Sequence, residues 1–389
     1  MKKKFLAAAI GAMLVAGSAS AVQKSKDGVG DLLLAPAYMI GGDMSTNIKV
    51  INTSSTQSVV AKVIFRHPVT SAEVLDFLIY LTPSDVWTAD VTCAAADAVG
   101  TCTKSVVTSK DDSMQSDGGI DFGSATTAAV IVSDTATVES TGRTALPNQG
   151  YFEVVMSSAY DVTPFKPGVK KADLLKAHTD SPDLVAVAST PNVLTGAVTI
   201  SAGAVGKATL PMVALEDYDN NTKAIVGRLT GLDDPVARTP VADVEDALWV
   251  NNLSVPYQLT AGGFSIALFN FPTKLTYNNV IDGQYPFAAN TFNADGSVKY
   301  GQVCIAADVY DNFETAVTGA TFNVSPLRVS TVCLDEMQWL LFGAPPATNV
   351  TTIGTSTFTD GWARIRFQNP RDAVAQVRLP AQSANTGRS

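Results

Sequence analysis

Between Val59 and Leu81 the chain alternates with a period of two, and this limits the possible folds more than any other feature. Ala61, Val63 and Phe65 fall on one side of an extended segment, with Lys62, Ile64 and Arg66 on the other. From Val74 to Leu81, the residues Leu75, Phe77, Ile79 and Leu81 form an unbroken apolar row opposite Asp76, Leu78 and Tyr80. Strand side chains point alternately to two faces, so such rows predict β-strands with one face on a core. Thr82-Pro83-Ser84-Asp85 ends this strand and Val86–Val91 begins another. Strands separated by turn signals at intervals of roughly 8–12 residues predict a mainly β fold. The expected build is antiparallel β-sandwich domains, immunoglobulin-like in architecture, with one or two short helices.

Further strands are expected at Ala128–Val132 and Tyr151–Met156, the latter with Phe152, Val154 and Met156 inward. Leu194–Ile200 and Lys207–Leu215 read as a hairpin around Gly203 or Gly206. Phe264–Phe271 is apolar on both faces and reads as a central, doubly covered strand. Val303–Tyr310, Phe322–Val324, Met337–Phe342 and Trp362–Phe367 complete a second β-rich set. The helical candidates are Ala172–His178 and Asp243–Val250. In the second, Val244, Ala247 and Leu248 share one side, and Asp243, Glu245 and Asp246 meet the positive end of the helix dipole. Residues 103–126, rich in Ser, Thr, Asp and Gly, read as a long exposed loop. The Pro/Gly/Lys-rich stretch Thr163–Lys171 predicts a domain break, giving an N-terminal sandwich over 22–162 and a C-terminal β-rich domain over 163–389.

Residues 1–21 read as a secretory signal peptide. Lys2-Lys3-Lys4 precede an apolar stretch from Phe5 to Ala16, and Ala19-Ser20-Ala21 forms a small-residue cleavage site. The mature protein is expected to start at Val22 and to be exported, to the cell surface, the extracellular space or the periplasm. After the leader no run reaches the roughly 18 apolar residues of a spanning helix, so no transmembrane segment is expected. The formal net charge of −9, more negative once the leader lysines are gone, excludes the clustered basic surface that nucleic acid requires.

Four cysteines then fall into two pairs. In an exported chain they predict the disulfides Cys93–Cys102 and Cys304–Cys333. The first closes a loop of ten residues and contributes about 2–3 kcal/mol in the chain-entropy picture. A zinc site is the weaker reading, because no Cys-x-x-Cys pair is present and His67 and His178 are the only histidines.

Catalytic chemistry finds little support. Neither histidine has a neighbouring nucleophile signature such as Gly-x-Ser-x-Gly, and phosphate-binding loops and haem-attachment motifs are absent. Asp311 and Glu314, beside Tyr310 and Phe313, are the most suggestive acid pair, and read more simply as a solvated turn. No catalytic residue and no organic cofactor are expected. Calcium is the plausible ligand, because hard cations gather oxygen donors from acidic loops. Asp217, Asp219 and Asn220 offer closely spaced donors, as do Asp111, Asp112, Asp117 and Asp121. An apolar N-terminal run, Asp31–Ile40, could add to a neighbouring subunit's sheet edge, though pairing within its own chain is the simpler reading.

Two blocks carry a resemblance. One runs from Gly30-Asp31-Leu32-Leu33-Leu34-Ala35-Pro36-Ala37-Tyr38 through Ile51-Asn52-Thr53, Phe65-Arg66 and Val74-Leu75-Asp76-Phe77 to Pro83-Ser84-Asp85-Val86-Trp87. The other comprises Phe269-Asn270-Phe271-Pro272-Thr273-Lys274, Cys304, Tyr310-Asp311, Phe322, Ser325-Pro326, Cys333 and Gly361-Trp362. Together they resemble a family of uncharacterised exported proteins of Gram-negative bacteria that go by the label of cell-surface proteins. The resemblance implies envelope export and a β-sandwich build, and supplies no reaction. The expected function is a non-enzymatic cell-surface protein, structural or adhesive: a surface-layer component, a filament subunit or an adhesin. Its expected partners are further copies of itself or other cell-surface components. The alternative is an extracellular carbohydrate-binding or carbohydrate-cleaving protein using Trp87, Trp249, Trp339 or Trp362 as sugar platforms, which requires at least two of them exposed in one groove.

Overall fold

In a computed structural model the described residues are 22–68, 73–109, 114–115, 129–133, 146–161, 191–203, 206–218, 244, 247–250, 252–258, 265–270, 272, 291–292, 298–299, 303–311, 322–324, 327–329, 331–334, 338–342, 351–353, 360–369, 372–376, 379–380 and 382–386. They are overwhelmingly β, in several largely antiparallel sheets. The first thirteen strands are β1 (Gln23–Lys24), β2 (Leu32–Met39), β3 (Met44–Asn52), β4 (Gln57–Arg66), β5 (Glu73–Leu81), β6 (Val86–Ala96), β7 (Cys102–Ser109), β8 (Met114–Gln115), β9 (Ala129–Ser133), β10 (Gln149–Asp161), β11 (Leu194–Ala202), β12 (Gly206–Pro211) and β13 (Val213–Glu216). They form two sheets, ordered β1-β13-β2-β10-β4-β5-β8 and β12-β11-β3-β6-β7-β9.

One apolar cluster draws on both sheets, and its members are those the alternation singles out. Ala61, Val63, Phe65, Leu75, Phe77, Ile79 and Leu81 from the first sheet pack with Ile48, Val50, Trp87, Val91 and Val198 from the second. Phe77 meets Trp87 across the interface at 5.7 Å between ring centroids, and Phe65 stacks on Phe152 at 5.1 Å. Tyr38 joins this core with its ring edge-on to Phe65, and burial pushes its hydroxyl well above the usual phenol range.

The other face of the first sheet is buried too. Leu32, Leu34, Ile64, Val155 and Leu215 form a second cluster with Tyr218, Val244 and Leu248. Charged side chains on this face are held in pairs. The Arg66 guanidinium forks onto Glu153, Nε to Oε1 at 3.1 Å and Nη2 to Oε2 at 3.3 Å, with both residues at most 1 % exposed. Lys62 pairs with Asp76 beside them. A charge leaves water only with an opposite charge to replace the lost solvation, so Lys62 and Arg66 mark a covered face here.

Strand β2 lies inside the first sheet, antiparallel to both β10 and β13. The apolar N-terminal run therefore pairs within its own chain. Pro36 lacks an N–H, and the β2–β10 register shifts between Gly150 and Phe152 opposite it. The free Pro36 carbonyl accepts from Asn270 Nδ2 at 2.7 Å, a buried contact with a strand 234 residues away. At Gly150 the backbones approach so closely that a Cβ would overlap the Arg66 carbonyl and the Tyr38 ring.

Four expectations are corrected. Much of the exposed loop read over 103–126 is strand where it is described: β7 covers Cys102–Ser109, and Met114–Gln115 pairs with β5. Its hydroxyls explain the misreading. Ser105 and Ser109 are buried, with Ser105 Oγ accepting from Leu146 N–H at 2.9 Å and Ser109 Oγ donating to the Thr88 carbonyl at 2.8 Å. Of the helix read over 243–250, Val244 and Ala247 are helical and Leu248 N–H bonds to the Val244 carbonyl at 3.0 Å, but Trp249–Val250 is a strand. The helix read over 172–178 lies outside the described residues. Strands β11 to β13 come after the break expected at 163, yet pair with β3, β2 and β1. The two sheets therefore take strands from both sides of that break. The β11–β12 hairpin forms at the expected turn, with Gly203 and Gly206 at positive φ, but the arm read as Lys207–Leu215 ends at Pro211, and Val213–Glu216 pairs with β2 in the other sheet.

Farther along, Asn252–Gln258, Asp360–Asn369, Val303–Asp311 and Thr331–Leu334 are hydrogen-bonded in that order, all antiparallel. Ser265–Asn270 is central as expected, between Gln338–Phe342 and Gln382–Thr386, with Leu268, Phe269 and Asn270 consecutively buried. The one parallel pairing among the described strands joins Gln338–Phe342 to Thr351–Ile353.

Candidate functional site

Two exposed features stand out from this framework. The first is the tip joining β6 to β7, where Ala94 to Val99 are all exposed and Val99 reaches 86 %. Exposed apolar loops of small residues are ordinarily mobile; this one is fastened three ways. Cys93 and Cys102 are joined by the expected disulfide, their Cα atoms 5.6 Å apart. Asp97 folds the turn: its Oδ1 accepts from Val99 N–H at 3.0 Å and Thr101 N–H at 2.8 Å, while Gly100 takes φ of 85°. Such Asx turns suit a short carboxylate. Asn148, from the segment before β10, clamps the base, accepting from Cys102 N–H at 2.7 Å and donating to the Gly100 carbonyl at 3.0 Å.

The second is the face bearing Trp362 on the five-stranded sheet that Asn252–Gln258, Asp360–Asn369, Val303–Asp311 and Thr331–Leu334 form with Asp372–Gln376. Antiparallel register sets Pro256, Trp362 and Tyr310 side by side across three strands. Trp362 and Tyr310 stack at 4.5 Å between centroids with 16° between their planes. Coplanar rings lying flat on the sheet would collide at that distance, so the rings stand upright and present their edges to solvent. One step along, Arg364 donates to Asp308 Oδ2 from Nε at 3.2 Å and Nη2 at 3.0 Å, and Arg366 Nη2 donates to Oδ1 at 2.8 Å. The opposite face is apolar, with Val255, Tyr257, Val309, Ala363 and Ile365 buried. Gly361 permits this layering, because a Cβ there would overlap the Tyr310 carbonyl, which also accepts from the Tyr257 hydroxyl at 3.0 Å.

The sequence candidates are distributed as follows. Asp217 is engaged with Asn192: its N–H donates to Asn192 Oδ1 at 3.0 Å and its Oδ1 accepts from Asn192 Nδ2 at 3.2 Å. Asp219 and Asn220 lie outside the described residues, as do Asp111, Asp112, Asp117, Asp121, Glu314 and His178. No cluster of three or more metal-ligating side chains occurs among the described residues. Cys304 and Cys333 are direct cross-strand partners in register. Asp311 ends a strand opposite Gly361 instead of sitting in a turn. Trp87 is fully buried and Trp362 is 37 % exposed, while the side chains of Trp249 and Trp339 lie outside what is described. Trp362 has one ring face stacked on Tyr310 and is opposite Pro256 in register. The Arg364–Asp308–Arg366 row was missed because it depends on register. Its only trace in the sequence is the arginines alternating with Ala363 and Ile365.

No family model matches the chain, and no curated protein does. Among solved structures, the chain is similar to an uncharacterised protein from Burkholderia cenocepacia at 8 % identity, covering 91 % of this chain and 76 % of that one. The TM-score of 0.19 is too low to bear on fold or function.

Proposed function

We propose that the chain is an exported, non-enzymatic cell-surface protein with a structural or adhesive role, its first two sheets forming an immunoglobulin-like sandwich. The stapled β6–β7 tip carries this reading. A disulfide, an Asx turn and an asparagine clamp hold an exposed apolar segment in one conformation, so a partner meeting it loses little ordering entropy. The buried acids and bases support the same reading, since Arg66, Glu153, Lys62 and Asp76 are engaged with each other inside the fold. The register of Cys304 opposite Cys333 supports a second disulfide. Calcium at Asp217, Asp219 and Asn220 belongs to the proposal as an accessory ion.

The test is to probe intact cells producing the full chain with a membrane-impermeant label and, after lysis, with a thiol-reactive maleimide. The expected result is labelled protein whose cysteines react only after reduction. Unlabelled protein with freely reactive Cys93 and Cys102 sinks the reading. Cell or surface binding that falls with Val99→Asp supports the adhesive version, and repeating it in chelator tests the calcium.

A further inference from the structure

We propose that the Pro256–Trp362–Tyr310 face is a self-docking surface, its occupant the same face of a second copy of this chain. The argument begins with charge. The chain carries 36 acids against 27 Lys and Arg, so two copies repel across most approaches. Among the described side chains this face is balanced: Arg364 and Arg366 are matched by Asp308 and by Asp360, which shares the face two residues before Trp362. An isologous contact needs a self-complementary patch, because each residue meets its partners through a two-fold axis. A face carrying both signs around an apolar ladder meets that condition. These groups are open to a partner: Trp362 is 37 % exposed and the Arg364 side chain 44 %, with Asp308 and Arg366 at 28 % and 26 %.

Edge chemistry points to the face as well. Among the described strands, Asn252–Gln258 is at a sheet edge with Pro256 in its middle, and β12 is at a sheet edge with exposed Lys207 and a terminal Pro211. Proline and lysine on an edge oppose strand addition, so copies meeting in these regions meet through side chains. Upright rings and an arginine beside them are the residue types enriched where protein faces pack.

The inference rests on the self-assembling version of the function proposed above, and is tested by sedimentation velocity of the exported chain across concentration. Four proteins are compared: the wild type, Arg364→Glu, Trp362→Ala and the control Lys207→Glu. The expected result is a concentration-dependent dimer, weakened about tenfold or more by Arg364→Glu and Trp362→Ala, unchanged by Lys207→Glu, and weakened by salt. Arg364→Glu alters an exposed side chain, so circular dichroism matching the wild type separates lost docking from lost folding. A wild type that stays monomeric overturns the inference while leaving an adhesin intact. Undiminished association in both face variants overturns the face while leaving assembly through another surface. A monomer that binds an acidic polysaccharide through Trp362 overturns it in favour of a glycan site.

Discussion

Replacing Tyr38 with Phe removes one oxygen from the middle of the core and should stabilise the protein. The Tyr38 ring is fully buried, edge-on to Phe65 at 5.3 Å, and its hydroxyl has no hydrogen-bond partner among the described residues. An unmet buried hydroxyl costs about 1–3 kcal/mol. Removing the oxygen leaves a void smaller than a methylene, a penalty of less than about 1 kcal/mol. The net expectation near neutral pH is a gain of about 1 kcal/mol, read as a higher urea midpoint with unchanged slope. Alkaline pH supplies an independent arm. The folded state holds the phenol neutral because burial raises its pKa, whereas in the unfolded chain it ionises near about pH 10. Its contribution is therefore intact below that pH and is lost above it, by about 1.4 kcal/mol per unit. At about pH 11.5 the advantage of the Phe variant should have grown by about 2 kcal/mol, since other titrating groups cancel in the comparison. A variant clearly less stable than wild type at neutral pH would refute the reasoning, because the hydroxyl would then be donating to a partner. Parallel stability curves from neutral to alkaline pH would refute it too, by showing that the phenol ionises inside the fold.

Glu153→Gln leaves the Arg66 guanidinium buried without its counter-charge, and chemical denaturation should register a loss of about 3–5 kcal/mol. Gly150→Ala pushes a methyl into the Arg66 carbonyl and the Tyr38 ring; a loss of at least about 1–3 kcal/mol is expected, and a melting temperature equal to wild type would show that the strands separate freely. Cys93→Ser with Cys102→Ser should cost about 2–3 kcal/mol and speed amide exchange at Val99 and Thr101 while leaving exchange in β4 and β10 unchanged.

What the sequence revealed, and what it hid, follows from how locally each feature is encoded. The inward rows of β4, β5 and β10 were legible because strand periodicity is a property of neighbouring residues. Their opposite faces were not. Lys62 and Arg66 lie opposite the apolar row, and only the partners Asp76 and Glu153, brought in by β5 and β10, make them interior residues. Strand β7 was hidden by serines and threonines that look like loop until their hydroxyls find Thr88 and Leu146. The Cys93–Cys102 staple was legible from spacing, whereas its Asn148 clamp, 46 residues beyond Cys102, was not. The Trp362 ladder needed register across three strands, which no stretch of sequence states.

The position of β2 has a consequence for how the chain is made. A polypeptide emerges from its N-terminus, so Leu32–Met39 is among the earliest segments available. Its neighbours in the sheet, Gln149–Asp161 and Val213–Glu216, are synthesised much later, and Asn270 comes later still. A strand buried along nearly all its length is thus born without anything to pair with, and the nucleus must wait for contacts distant in sequence, a topology that folds slowly. Until Gln149–Asp161 has appeared, this apolar strand has no neighbour in its sheet, and its second one, Val213–Glu216, comes later still, which exposes it to capture by chaperones.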